Sequence, residues 1–156
     1  MARRRRAEIR DIIPDAKYGD VLIARFINYV MINGKRSVVE KAIYSALDDL
    51  AKKVKGDALE LFKEAIEIVK PRIEVRSRRI GGATYQIPVE VPERRAIALS
   101  LKWLTMAIKK QSGRGLGDKV YKVFQDTLNK SGWAFKKKEE VFRMAEANKA
   151  FSHYSW

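Results

Sequence analysis

The sequence predicts a mainly α fold: a six-helix domain with a protruding two-stranded β-hairpin arm and a basic, extended N-terminal arm. Hydrophobic residues recur at helical spacing in six segments, most of them bounded by capping or turn residues. Between the third and fourth segments the period drops to two on either side of Gly81-Gly82. At 156 residues the chain suffices for one domain with a real core and is short for two, so residues 1–156 read as a single domain.

Residues 1–19 form the arm, which offers only Ile9, Ile12 and Ile13 to bury and is expected to stay mobile until something anionic holds it. Asp20 is placed to cap a first helix whose Val21, Leu22, Ile23, Phe26, Ile27, Val30 and Met31 leave little polar face, and Asn33-Gly34 stops it. Ser37 with Glu40 has the spacing of a capping box for a second helix, buried through Val39, Ala42, Ile43, Ala46, Leu50 and Val54. Gly56 is expected to take the left-handed conformation that ends it. Asp57 with Glu60 repeats the capping pattern for a third helix, carrying Leu59, Phe62, Ile66 and Val69 and ended by Pro71.

Residues 72–91 read as the hairpin. Ile73 and Val75 alternate with charged residues before the two glycines, Tyr85, Ile87, Val89 and Val91 alternate after them, and paired glycines tolerate the positive φ of a tight turn. Taken as a lone hairpin it has two free edges, which admits Pro88, and should be mobile until docked. A fourth helix opens at Pro92-Glu93 and buries Ile97, Leu101, Leu104 and Ile108 with Trp103 beside them. A basic loop containing Gly113, Gly115 and Gly117 precedes a fifth helix bearing Val120, Tyr121, Val123, Phe124 and Leu128. The last helix and tail, residues 136–156, start near Lys136 and end in Phe151-Ser152-His153-Tyr154-Ser155-Trp156.

Composition closes most routes to catalysis. The absence of Cys removes disulfides, thiolate zinc ligands and a thiol nucleophile, and one His cannot build a multi-histidine site. No cofactor or metal is expected. The glycines at 113–117 lack the G-x-G-x-x-G spacing, and no strand precedes them. The adjacent carboxylates Asp48-Asp49 and Glu139-Glu140 diverge on a helix and read as solvated surface. Four arginines stand where a signal peptide would carry an apolar stretch, and no apolar run is long enough to span a bilayer, so a cytosolic protein without a membrane partner is expected.

What the composition requires is an anionic partner, because the net charge is +14 with 33 Lys and Arg against 19 Asp and Glu. The charge is uneven: residues 37–69 carry five Lys and seven acidic residues, leaving +16 for the rest. It gathers in Arg3, Arg4, Arg5, Arg6 and Arg10; in Lys35-Arg36; in Arg72, Arg76, Arg78 and Arg79; in Arg94-Arg95; and in Lys136-Lys137-Lys138. Three of the five clusters are arginine-dominated, and the planar guanidinium can bind two phosphate oxygens or stack on a base. Five such clusters around one core favour nucleic acid over a merely solvated surface. Tyr85, with Arg78 and Arg79, is a candidate for stacking unpaired bases, and Tyr85 reads equally well as a core residue.

These clusters and their order resemble one family. Ala2-Arg3-Arg4-Arg5-Arg6, the block Arg76-Ser77-Arg78-Arg79-Ile80-Gly81-Gly82-Ala83-Thr84-Tyr85-Gln86, Arg94-Arg95, and Arg143-Met144-Ala145 running on to Asn148 and Tyr154 are similar to bacterial small-subunit ribosomal protein seven, from end to end of the chain. The resemblance implies a ribosomal protein that binds the 3′ major domain of 16S rRNA through the basic clusters and Arg143, and nucleates assembly of the head. It further implies that Arg78, Arg79, Gly81, Gly82 and Tyr85 lie near exit-site tRNA and mRNA. Small-subunit ribosomal proteins nine and eleven are the implied neighbours, with Asn148, Phe151, His153 and Tyr154 as the contact to protein eleven. Some members repress translation of their own operon. The chain departs from the family at Ser155, where a basic residue is usual, and at Trp133-Ala134-Phe135, which is bulkier than usual.

A DNA-binding architectural protein is the alternative that net charge permits, but there is no heptad dimer interface, clear recognition helix or zinc pattern. No obligate homo-oligomer is expected. An RNA-modifying enzyme would need a nucleophile or cofactor loop that the sequence lacks.

Overall fold

Six α-helices and one hairpin organise the computed structural model, which describes residue 8 and residues 10–154. In chain order they are α1 (Val21–Val30), α2 (Arg36–Val54), α3 (Ala58–Val69), β1 (Ile73–Ile80), β2 (Ala83–Glu90), α4 (Glu93–Lys110), α5 (Leu116–Leu128) and α6 (Gly132–Ala147), followed by a 3₁₀ segment, Lys149–Tyr154. Arg3 to Arg6, Ser155 and Trp156 lie outside the described residues.

The centre of the core is aromatic. Phe26 of α1, Phe62 of α3 and Phe124 of α5 are withdrawn from solvent, with ring centroids 5.5 to 5.7 Å apart. Burying each ring contributes about 1.5–3 kcal/mol, and each ring pair roughly 0.5–1.5 kcal/mol more. Helix α4 packs on α1, α3, α5 and α6, burying Leu101, Leu104, Ala107 and Ile108 with Trp103, as its periodicity predicts.

Caps agree with expectation at two helix starts and differ at two others. Asp20 accepts from the Leu22 amide at 2.6 Å, and Asp57 from that of Glu60 at 3.2 Å. Helix α2, however, begins at Arg36 with no side-chain cap, so Ser37 lies in its first turn and Glu40 instead accepts from Arg36 at 2.6 Å. An (i, i+4) ion pair has taken up the carboxylate that the capping box needed. At the other end of α2 it is Lys55, φ 57°, that takes the left-handed conformation, one residue before Gly56. Helix α6 starts at Gly132, four residues before Lys136, because Trp133 and Ala134 pack against the bundle. Its N-terminus carried no sequence signal: the Ser131 hydroxyl donates back to the Asp126 carbonyl instead of capping the helix.

The arm is anchored before α1 begins. Asp15 is only 3% exposed, and its carboxylate accepts from the amides of Lys17 (3.2 Å) and Tyr18 (3.1 Å) and from the Tyr44 hydroxyl of α2 (2.6 Å). Burial and that carboxylate push the Tyr44 hydroxyl well above its ordinary pKa, so it remains a donor. Asp48 takes the Lys17 ammonium at 2.6 Å and the Tyr18 hydroxyl at 3.0 Å. The mobile arm expected over residues 1–19 is therefore corrected at its C-terminal end: residues 15–19 form a turn latched to α2, and Asp48 is a partner in that latch, not idle surface.

The hairpin turns through Gly81 (φ 56°) and Gly82 (φ 90°), positive values at both positions as a tight hairpin turn requires. A two-residue turn pairs Ile80 with Ala83, and so Arg78 with Tyr85, Arg76 with Ile87, and Glu74 with Val89. Directly paired residues share a face of the sheet. The apolar alternations of β1 and β2 thus fall on opposite faces, Ile73 and Val75 opposing Glu90 and Pro88. With apolar side chains on each face, the hairpin is packed, not lone: α6 contacts both strands, the 3₁₀ segment lies on β2, and Ile87 is fully buried.

Candidate nucleic-acid interface

Several acidic side chains of the bundle are matched by lysines. Asp20 pairs with Lys63 at 2.9 Å, Asp48 with Lys17, and Lys70 bridges Glu67 and Glu93 at 2.9 and 2.8 Å. Among the described residues, Arg10, Lys35, Arg72, Arg79, Arg94 and Lys136 are exposed and have no ion pair. Apart from Lys136, in the second turn of α6, these cations project from loops and element ends.

At the root of the hairpin the fold joins two clusters that are separate in sequence. Arg76 of β1 and Arg95 of α4 both donate through Nε to Glu74, at 2.7 Å and at 2.8 and 3.0 Å. Glu74 is 8% exposed, which corrects its expected place among the outward charges of β1. Burial pushes its carboxyl up, but hydrogen bonds from Arg95 and Arg76 outweigh this and hold its pKa below the ordinary value. On the other side of the root, Arg72 and Lys138 line a cleft of about 630 Å³ with Glu67, Lys70, Glu90 and Glu93. Lys138 donates to the Ile68 carbonyl at the end of α3; its pKa is lowered by burial and then by the Arg72 charge.

The Lys136-Lys137-Lys138 run is not one patch. Successive helical residues point about 100° apart, so Lys138 turns inward, Lys137 pairs with Glu140 at 2.9 Å, and Lys136 stays exposed. Arg143 lies 3.6 Å from Glu139. At the α1–α2 turn Arg36 is held by Glu40 and by the Asn28 amide oxygen at 3.3 Å, while Lys35 is exposed.

A groove of about 310 Å³ between α1 and α4 brings Arg10 and Arg94 together with Asn28, Tyr29 and Arg25. Arg25 escaped the sequence reading, and its buried Nε has no hydrogen-bond partner. The available signal was its position as the one charge in a largely apolar helix.

At the other end of the hairpin, residues assigned to different partners meet each other. Arg78 donates to the Tyr154 carbonyl at 2.6 Å, and the Tyr85 ring lies 5.3 Å from Phe151 and 5.4 Å from Tyr154. Tyr85 is thus partly buried under the tail, outside the helical core. Asn148 donates to the Met144 carbonyl at the end of α6, and exposed His153 sits 4.0 Å from Tyr154 between centroids. Arg79, Gly81 and Gly82 remain exposed at the tip.

Among the described residues no cluster of His, Asp and Glu could hold a metal, and no helix is long and apolar enough to cross a membrane. A helical bundle that spreads arginines over its element ends and an arm-like hairpin defines a class of basic protein built to present cations on a surface.

The family described as Ribosomal protein S7p/S5e matches residues 2–149, and the chain belongs to it. Relatives named small ribosomal subunit protein uS7 include that of Rhodospirillum centenum, 50% identical over all of both chains, and that of Thermotoga petrophila, 51% identical over 99% of each. A protein named uS7A/uS7B from Cereibacter sphaeroides is 49% identical over all of both chains. The chain is accordingly a structural protein of the small ribosomal subunit, in bacteria a cytoplasmic particle, and not an enzyme.

Proposed function

We propose that the chain is a single RNA-binding domain that recognises the 3′ major domain of 16S rRNA and nucleates assembly of the subunit head. The observation that carries this is the distribution of guanidinium groups: Arg72, Arg76 and Arg79 on the hairpin and Arg94 and Arg95 at the start of α4, joined by the Arg10–Arg25–Arg94 groove. Arginine forks suit phosphate, and A-form RNA is read through backbone and shape more than through base edges.

The exposed tip, Arg79-Ile80-Gly81-Gly82, suits a contact with exit-site tRNA and mRNA, and the segment from Asn148 to Tyr154 suits ribosomal protein eleven, with protein nine as a further neighbour. Binding of its own messenger would use the same cations. The deciding experiment compares the 3′ domain of 16S rRNA with duplex DNA of equal charge at low and moderate salt. Preference for the RNA that persists at moderate salt is expected; equal affinities that collapse together would leave a generic polyanion binder, the behaviour of a DNA-binding architectural protein.

A further inference from the structure

Glu74 presents a problem of sign. A negative charge at the centre of a surface that is to meet phosphate repels the ligand, and burying it is costly unless it is well paired. Its pairing is unusual in one respect: Arg76 and Arg95 both reach it through Nε, the inner nitrogen of the guanidinium. Among the described residues their terminal nitrogens meet no protein acceptor, and the two side chains are 42% and 51% exposed.

The carboxylate therefore holds each arginine by its inner edge and leaves the outer edge, with its paired donors, for another anion. It also ties β1 to the first turn of α4, fixing the hairpin's root against the bundle. We propose that Glu74 is a positioning residue for RNA recognition: it sets Arg76 and Arg95 side by side so that together they grip neighbouring phosphates of one folded RNA backbone. This rests on the reading that the hairpin root and α4 contact rRNA.

Electrostatics and positioning predict opposite signs for one substitution. Glu74→Gln removes a negative charge, which by itself strengthens binding to any polyanion. If Glu74 orients the two arginines, affinity for the folded RNA falls instead, because the amide loses the charge that strengthens both hydrogen bonds and puts an NH2 donor against a guanidinium that Oε2 now accepts from.

The test measures binding of the full chain and of Glu74→Gln, Arg76→Ala and Arg95→Ala to the 3′ domain of 16S rRNA and to polyuridylate, with thermal melts of each variant. The expected result for Glu74→Gln is on the order of tenfold weaker binding to the folded RNA, with polyuridylate bound as well as before or better. Tighter binding to both would overturn the proposal and leave Glu74 a mere dilution of charge. If Arg76→Ala and Arg95→Ala also leave the folded RNA's affinity untouched, the reading of this surface as an RNA contact fails as well. Should Glu74→Gln melt below the assay temperature, Glu74→Asp decides. Weaker folded-RNA binding with unchanged polyuridylate binding supports positioning, and wild-type affinity for both overturns it.

Discussion

Replacing Tyr44 with Phe removes one oxygen from the latch that fixes where the basic arm leaves the bundle. That oxygen donates at 2.6 Å to Oδ1 of Asp15, whereas the amides of Lys17 and Tyr18 both bond Oδ2. The variant leaves Oδ1 without a donor on a residue that is 3% exposed. The ring stays, and with it the edge-on contact to Tyr18 at 5.8 Å, so packing changes little. A hydrogen bond to a charged acceptor contributes about 1.5–3 kcal/mol. In a chain of this size that corresponds to a fall in Tm of roughly 3–12 °C. Urea unfolding should show a lower midpoint with an unchanged slope, and hydrogen exchange should quicken at Lys17, Tyr18 and Gly19 before it does in α1. A change within about 0.5 kcal/mol, the ordinary scatter for surface substitutions, would refute the reasoning: water would then replace the hydroxyl, and the turn would not depend on Tyr44.

Ile87 is fully buried beneath the hairpin, so Ile87→Ala should cost about 2–5 kcal/mol. If Ile87 anchors the arm, strand amides will exchange faster while helical circular dichroism is retained. Truncation after Asn148 removes the partners of Arg78 and Tyr85, and exchange should rise across residues 78–85 with little change in the midpoint for the helices; unchanged exchange would mean that the tail does not hold the hairpin. The pKa of Asp48 is lowered, first by the Lys17 hydrogen bond; those of Asp20 and Glu74 are raised by burial, but their ion pairs and hydrogen bonds hold them lower still. Because these folded-state values lie below the ordinary 3.8 for Asp and 4.5 for Glu, the stability they supply is complete above those values and is lost as pH falls through the folded ones. Urea midpoints that stay level from pH 7 to 5 and drop below about 4 are expected, with a shallower drop in Asp48→Asn.

Much of the fold is local and was therefore legible along the chain. Helical periods, the Asp20 and Asp57 caps and the Gly81-Gly82 turn depend on neighbours in sequence, and even the hairpin register follows from a two-residue turn. The sites of the positive charge were legible too, because charge belongs to residue type. The family followed from residue order alone. Only tertiary structure decided which charges remain available: Glu74 was buried by docking β1 against α6 with Arg95 of α4 closing over it, Lys138 was turned onto the end of α3, and Arg25 was brought to a groove it shares with Arg10 and Arg94. It also decided that Tyr85 and Arg78 meet the C-terminal tail, and that Asp15 and Asp48 pin the arm. The hydrogen bonds among these join residues from 21 to 76 positions apart. Whether a charge is spent within the fold or left for a partner depends on which side chains packing brings to it, and residue type and spacing do not carry that information.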